Sequence, residues 1–180
     1  GEPLALALDF FGIAMAEFGS ISERRQARMV DASLSGLPPF LIEGSGLNSG
    51  FMIPQYVSAS LVSENKVLAH PSCVDSIPTS ANQEDHVSMG GYSARKAAAI
   101  LDNVRKVVAV ELLTGAQALE FSLKDLKPGK GTGAAHACIR STIPFLRRDE
   151  FLHPLIDRAI ELTRGGTVLD AVEAAVGALD

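Results

Sequence analysis

The chain has 180 residues, 47% hydrophobic and 21% charged. That is a globular balance, which excludes a wholly disordered or collagen-like chain. Sixteen Lys and Arg against 21 Asp and Glu leave a net charge of -5, without the basic stripe that nucleic-acid binding needs.

One domain over residues 1–180 is the expectation at this length. No uncharged apolar run reaches the ~18 residues of a membrane span. The longest near the start, Pro3 to Ala16, is broken by Asp9, so neither a membrane nor a nucleic acid is expected as a partner. Cys73 and Cys138 form no C-x-x-C pair; they suit a reducing compartment, and a cytoplasmic location is expected. Gly1 stands in place of an initiator Met, directly before an apolar periodic segment. The chain is therefore expected to be a piece of something longer.

The first predicted element is a long helix from Pro3 to about Leu34. Leu4, Leu8, Phe11, Met15 and Phe18 make one apolar stripe, and Leu6, Phe10 and Ile13 a second. Gly36 and Pro38-Pro39 end it. Gly44 to Gly50 (GSGLNSG) reads as a flexible loop, followed by a helix from about Phe51 to Ala69 that Pro71 stops. Residues 71–82, with two prolines, read as an ordered loop. A very long helix is predicted from about Ser88 to Leu126, with apolar residues over a wide arc. Lys127 to Gly133 reads as a linker, and shorter helices follow at about Ala134–Ile143, Pro154–Arg164 and Val168–Leu179, the last with Thr167 as N-cap. No alternating strand is present. The predicted fold class is all-α, an elongated bundle of long helices followed by shorter ones. Two helices this long and apolar need more cover than 180 residues supply, so oligomerisation is expected.

Most motif-like strings are weak. GSGLNSG has Ser49 where a dinucleotide fingerprint needs its third Gly, and no strand precedes it. Ser63-Glu64-Asn65-Lys66 and Ser93-Ala94-Arg95-Lys96 both fit S-x-x-K, but without companion motifs they read as solvated helix faces. His70, His86, His136 and His153 are scattered and show no ligand spacing, so no metal is expected. The run Thr79 to Met89 (TSANQEDHVSM) is different: it packs an amide, carboxylates, an imidazole and hydroxyls together at the start of the longest helix. One reading is a cap, with Asn82 as N-cap and Glu84 and Asp85 in the first turn. The other is a functional cluster. Composition favours neither.

A resemblance separates them. Gly46 to Gln55 (GLNSGFMIPQ), Ser63 to Lys66, His70-Pro71, Val74-Asp75-Ser76 and TSANQEDHVSM together closely resemble the histidine ammonia-lyases of the aromatic amino acid lyase family, as do Glu2-Pro3 and Ser22 to Arg25. The similarity runs along the whole chain and is densest over residues 44–90. Ser72-Cys73 departs from a usual Ala-Ser, and Gly91-Tyr92-Ser93 from a usual Thr-containing stretch.

The resemblance implies an all-α homotetramer that converts L-histidine to trans-urocanate and ammonia. It implies the electrophile 4-methylidene-imidazole-5-one, formed from an Ala-Ser-Gly triplet. This chain has no such triplet: Ala32-Ser33 precedes Leu34, and Ala59-Ser60 precedes Leu61. The matching region is the C-terminal part of the family's chain, so the isolated chain is expected to be inactive and to hold no cofactor-binding residue. By the same resemblance, Glu84 faces the substrate imidazole as a catalytic and substrate-binding residue, and Gln83, also substrate-binding, lies beside the prosthetic group and supports it. A tyrosine or phenylalanine lyase or aminomutase is the enzymatic alternative, which Glu84 argues against. A non-catalytic helical assembly module is the other.

Overall fold

The computed structural model describes residues 1–122 and 126–179. Among them it has seven α-helices: α1 Glu2–Val30, α2 Ala32–Ser35, α3 Met52–Leu68, α4 Gly90–Ser122, α5 Lys130–Arg140, α6 His153–Arg164 and α7 Thr167–Val176. None of the described residues forms a named strand; two isolated bridges join Ser45 to Asn48 and Thr79 to Glu84. The all-α class is as expected.

Several boundaries differ for identifiable reasons. The first helix stops at Val30, because Asp31 leaves the helical region and its side chain accepts the Ser33 N–H to start α2. The predicted linker at residues 127–133 turns helical at Lys130. Gly166, in the left-handed region, caps α7 in place of Thr167, which is its first helical residue. The longest helix begins at Gly90, two residues later than expected. Of its predicted end, residues 123–125 lie outside the described residues. At about 1.5 Å per residue its 33 residues still span about 50 Å.

By contacts the chain divides into two compact units, with α1 and α4 contributing to both: Gly1–Ile21 with Ser60–Val104, and Ser22–Ala59 with Arg105–Asp180. In the first unit the inward side of α1 is made of small residues, Ala5, Gly12 and Gly19, with Asp9 among them. A Cβ on Gly12 would stand 3.2 Å from Ile100 Cδ1, and one on Gly19 3.1 Å from Val104 Cγ2. Glycine thus lets α1 and α4 approach closely. The large apolar residues of the two predicted stripes point away from this contact: Leu4, Leu6, Phe10, Phe11, Ile13 and Phe18 are exposed. By length and composition alone α1, despite Asp9, is also long and apolar enough to cross a membrane.

The second unit holds a contiguous apolar core that includes Val30, Leu41, Ile42, Phe51, Leu113, Ile139, Ile143 and Leu146. Gln117 is buried within it and fully used: its Nε2 donates to the carbonyls of Leu41 (3.0 Å) and Leu146 (2.7 Å), and its Oε1 accepts from Leu146 N and Arg140 Nη2. One amide therefore pins two loops to α4.

The glycine-rich loop before α3 is also pinned. Asp149 accepts the N–H groups of Ser49 and Gly50, and Asn48 Oδ1 accepts the Asp149 N–H. Gly50 has φ +51, and a Cβ there would lie 2.5 Å from the Phe40 carbonyl oxygen. Gly50→Ala should therefore lower stability by more than about 1 kcal/mol, through both the steric clash and the left-handed backbone. Chemical denaturation of the full-length polypeptide checks this.

Candidate functional site

The segment from Pro71 to Met89 joins α3 to α4. Residues 74–86 are all exposed, and both ends are fastened to one buried carboxylate. Asp9 Oδ2 accepts the N–H of Ser72 at 2.7 Å and of Cys73 at 2.8 Å, where the loop begins. It also accepts the Ser93 hydroxyl at 3.0 Å, on the first turn of α4. Asp9 Oδ1 pairs with Lys96 Nζ at 3.1 Å, and both side chains are about 95% buried. Lys96 Nζ also donates to the His70 carbonyl at the end of α3.

Burial alone would raise the Asp9 pKa. The Cys73 N–H, Lys96, the Cys73 thiol and the Ser72 N–H outweigh it and hold the carboxyl at about 2. In turn burial, then the Asp9 carboxylate, push the Cys73 thiol up, which keeps it protonated and unreactive.

Within the loop, Ser80, Ala81 and Asn82 have φ of 52, 53 and 66. Three consecutive left-handed residues without a glycine are strained, at roughly 1–2 kcal/mol each for ordinary side chains. They turn the chain back on itself, so that Thr79 N donates to the Glu84 carbonyl (3.0 Å) and Glu84 N to the Thr79 carbonyl (3.3 Å). The Thr79 hydroxyl donates to Glu84 Oε2 at 2.6 Å. Val87 N donates to Ser76 Oγ across the loop.

This geometry removes the capping reading. Glu84 lies six residues before α4 and Asn82 eight. The start of α4 is served by Ser88, whose hydroxyl accepts the Gly90 N–H at 3.2 Å. Glu84 is held by a loop, outside any helix. Gln83 is its chain neighbour, closing the turn with its N–H on the Ser80 carbonyl at 3.1 Å.

The family model described as "Aromatic amino acid lyase" matches residues 1–141. The chain belongs to the aromatic amino acid lyase family. It is 56% identical, over its whole length, to a histidine ammonia-lyase of Symbiobacterium thermophilum and covers 35% of that protein. The crystal structure of histidine ammonia-lyase from Trypanosoma cruzi matches with a TM-score of 0.91 at 45% identity, over 96% of this chain and 34% of that one. Tyrosine aminomutase from Streptomyces globisporus matches with a TM-score of 0.94 at 34% identity, over 99% of this chain and 34% of that one. The chain thus spans about a third of the length of these relatives. Backbone similarity does not separate the lyase from the aminomutase; sequence identity favours the lyase.

The sequence reading missed the residues that fasten this lyase loop. Of the two S-x-x-K strings expected to be solvated faces, the first is one, with Ser63, Glu64 and Lys66 exposed and only Asn65 buried, whereas Ser93 and Lys96 of the second are buried. Asn65 Oδ1 accepts from Asn103 Nδ2 at 3.0 Å. The available signal was Asp9, a lone acid inside an apolar stretch. A charge there needs a buried partner, and Lys96 supplies it.

Replacing Asp9 by Asn should strand the buried Lys96 ammonium, a loss of about 3–5 kcal/mol, and Asp9→Asn with Lys96→Met should recover part of it. The pH dependence follows the same pair. Because the folded carboxyl titrates near 2, below its unfolded value, the unfolded state binds more protons between about pH 4 and 2. Asp9's contribution is therefore complete above about pH 4 and disappears as the pH falls through 2. Acid unfolding of the full-length polypeptide should show a shallower loss over that range in the double variant.

Proposed function

We propose that the chain is the C-terminal part of a histidine ammonia-lyase, which eliminates ammonia from L-histidine to give trans-urocanate. The observation that carries this reading is the Gln83–Glu84 pair. It stands on a strained, tightly bonded turn outside any helix, in a chain 56% identical to a histidine ammonia-lyase. Strain of this kind persists where surrounding bonds enforce it, and it concentrates at functional sites.

The chemistry divides between this chain and the rest of the protein. Removing a weakly acidic β-proton and expelling an amine needs an electron sink that ordinary side chains do not offer. The family's 4-methylidene-imidazole-5-one supplies that electrophilic chemistry. Its Ala-Ser-Gly precursor is not in these 180 residues, so this chain's role is orientation and electrostatics. Gln83, beside Glu84, is the residue that would support the group. Glu84 keeps Oε1 free of any protein partner in the described contacts, while Oε2 is engaged by Thr79. A carboxylate oxygen so presented accepts an imidazole N–H and selects histidine over amino acids whose ring carries no N–H donor.

The exposed apolar face of α1 belongs to the same reading. Leu6, Phe10 and Phe18 are each more than half exposed, a patch of the kind that marks an interface. Further copies of the chain cover it in a homotetramer, and this accounts for a membrane-length helix with Asp9 on its inner side.

Three measurements test the proposal. In the full-length enzyme Glu84→Ala should lower kcat/KM for histidine at least about tenfold, since a hydrogen bond to a charged group is worth roughly 1.5–3 kcal/mol. Any activity on phenylalanine should fall much less, and the melting temperature should hold. Equal losses on both substrates, or lost stability with unchanged kinetics per folded molecule, would reject the selector role. The isolated 180-residue chain should form no urocanate, followed by its ultraviolet absorbance, and should scatter light as a multimer; steady turnover or a soluble monomer at high concentration counts against the reading.

A further inference from the structure

Glu84 is an exposed side chain with three free torsions, and an exposed carboxylate does not hold one direction unless something fixes it. Selecting one heteroaromatic ring by a directed hydrogen bond needs that direction fixed beforehand. The structure supplies a fixing group. Residues 79 and 84 are paired through both backbone hydrogen bonds, N–H to carbonyl in each direction, at 3.0 and 3.3 Å. Residues directly opposite in such an antiparallel pair project to the same face, with their Cβ atoms about 5.5 Å apart. On that face the Thr79 hydroxyl meets Glu84 Oε2 at 2.6 Å, the short distance expected when a hydroxyl donates to an ionised carboxylate. The carboxylate has lone pairs to spare, so Oε1 stays available for a second donor. The left-handed run at Ser80, Ala81 and Asn82 makes the pairing possible. No other residue in the described contacts bonds the Glu84 side chain.

We infer that Thr79 is the positioning residue of the site: its hydroxyl holds Glu84 Oε2 and thereby aims Oε1 at the ring N–H of the substrate. The inference rests on the reading of Glu84 as the imidazole acceptor. Thr79 touches no substrate itself, and its effect passes entirely through Glu84. It therefore acts on histidine and leaves substrates without a ring N–H unaffected.

A double-mutant cycle in the full-length enzyme separates the two claims. Thr79→Val keeps the shape and the backbone pairing but removes the donor. It should lower kcat/KM for histidine about tenfold, with Thr79→Ser restoring it to within about twofold. Thr79→Val should cost almost nothing when Glu84 is already Ala, because the group it aims is gone. Thr79→Ala serves as the second variant if the added methyl of Val disturbs folding. Wild-type kinetics in Thr79→Val, failure of Ser to rescue, or additive losses with Glu84→Ala would overturn the inference while leaving Glu84's role intact. If Glu84→Ala is itself kinetically silent, the selector reading fails and the Thr79 role falls with it. A general destabilisation would lower the melting temperature and depress every substrate alike, which also counts against positioning.

Discussion

A negative charge inside an apolar helix face is tolerated only when it is paired and bonded. Asp9 meets that condition with Ser72 N, Cys73 N, Ser93 Oγ and Lys96 Nζ around one carboxylate. Desolvating two ions is expensive, and attraction offsets that only with near-complete hydrogen bonding. The pair therefore adds little net stability over a well-packed apolar substitute, but it admits a single arrangement. The two amide donors are at the start of the loop and the hydroxyl and ammonium are on the helix that ends it. Satisfying one carboxylate thus fixes where a 19-residue connection begins and ends, an ordering that nonpolar contacts among its exposed residues would not achieve.

The same logic of local enforcement recurs inside the loop. Its residues from 74 to 86 are exposed, so hydrophobic burial contributes almost nothing to their shape. Direction comes instead from the backbone pair between Thr79 and Glu84, the Ser76 hydroxyl on Val87, and a left-handed turn. Left-handed Ser80, Ala81 and Asn82 cost conformational energy that these few bonds offset. Small residues fit such a turn better than β-branched ones, which suffer most at positive φ. The result is a carboxylate with Oε2 engaged by Thr79, displayed on an exposed surface.

Much of the helical frame was legible because long amphipathic periods report directly on helices. The ends were harder: Asp31 and Gly166 act through local side-chain and backbone geometry, and neither changes the hydrophobic period. Which side of α1 packs on α4 was not legible: periodicity weights residues by hydrophobicity, so it marked the stripe with Phe11 and Phe18 and was silent on the small-residue side. The close approach of α4 instead selects Gly12 and Gly19, whose absent side chains carry no hydropathic signal. The loop cluster from Thr79 to Met89 stood out by composition, but the register between helix and cluster decided its meaning. With α4 starting at Gly90, Glu84 cannot be a first-turn carboxylate. Gln83 and Glu84 were singled out by resemblance, whereas the Asp9–Lys96 clamp was passed over because its halves lie 87 positions apart in sequence.

That separation has a consequence for how the family's substrate choice can vary. The clamp and the long helices set the position of the loop, and tyrosine aminomutase shares this backbone at a TM-score of 0.94 with only 34% identity. On the proposed function, position and selectivity are carried by different residues. The first requires a buried charge network that tolerates little change, since removing one partner strands the other. The second requires side chains on an exposed turn, where a substitution disturbs no core packing and costs little stability. A new substrate preference can arise by changing the polar groups at the turn while Asp9, Lys96 and the glycine contacts of α1 stay as they are. The division also explains why resemblance in fold alone carries no information about which side chains the turn presents.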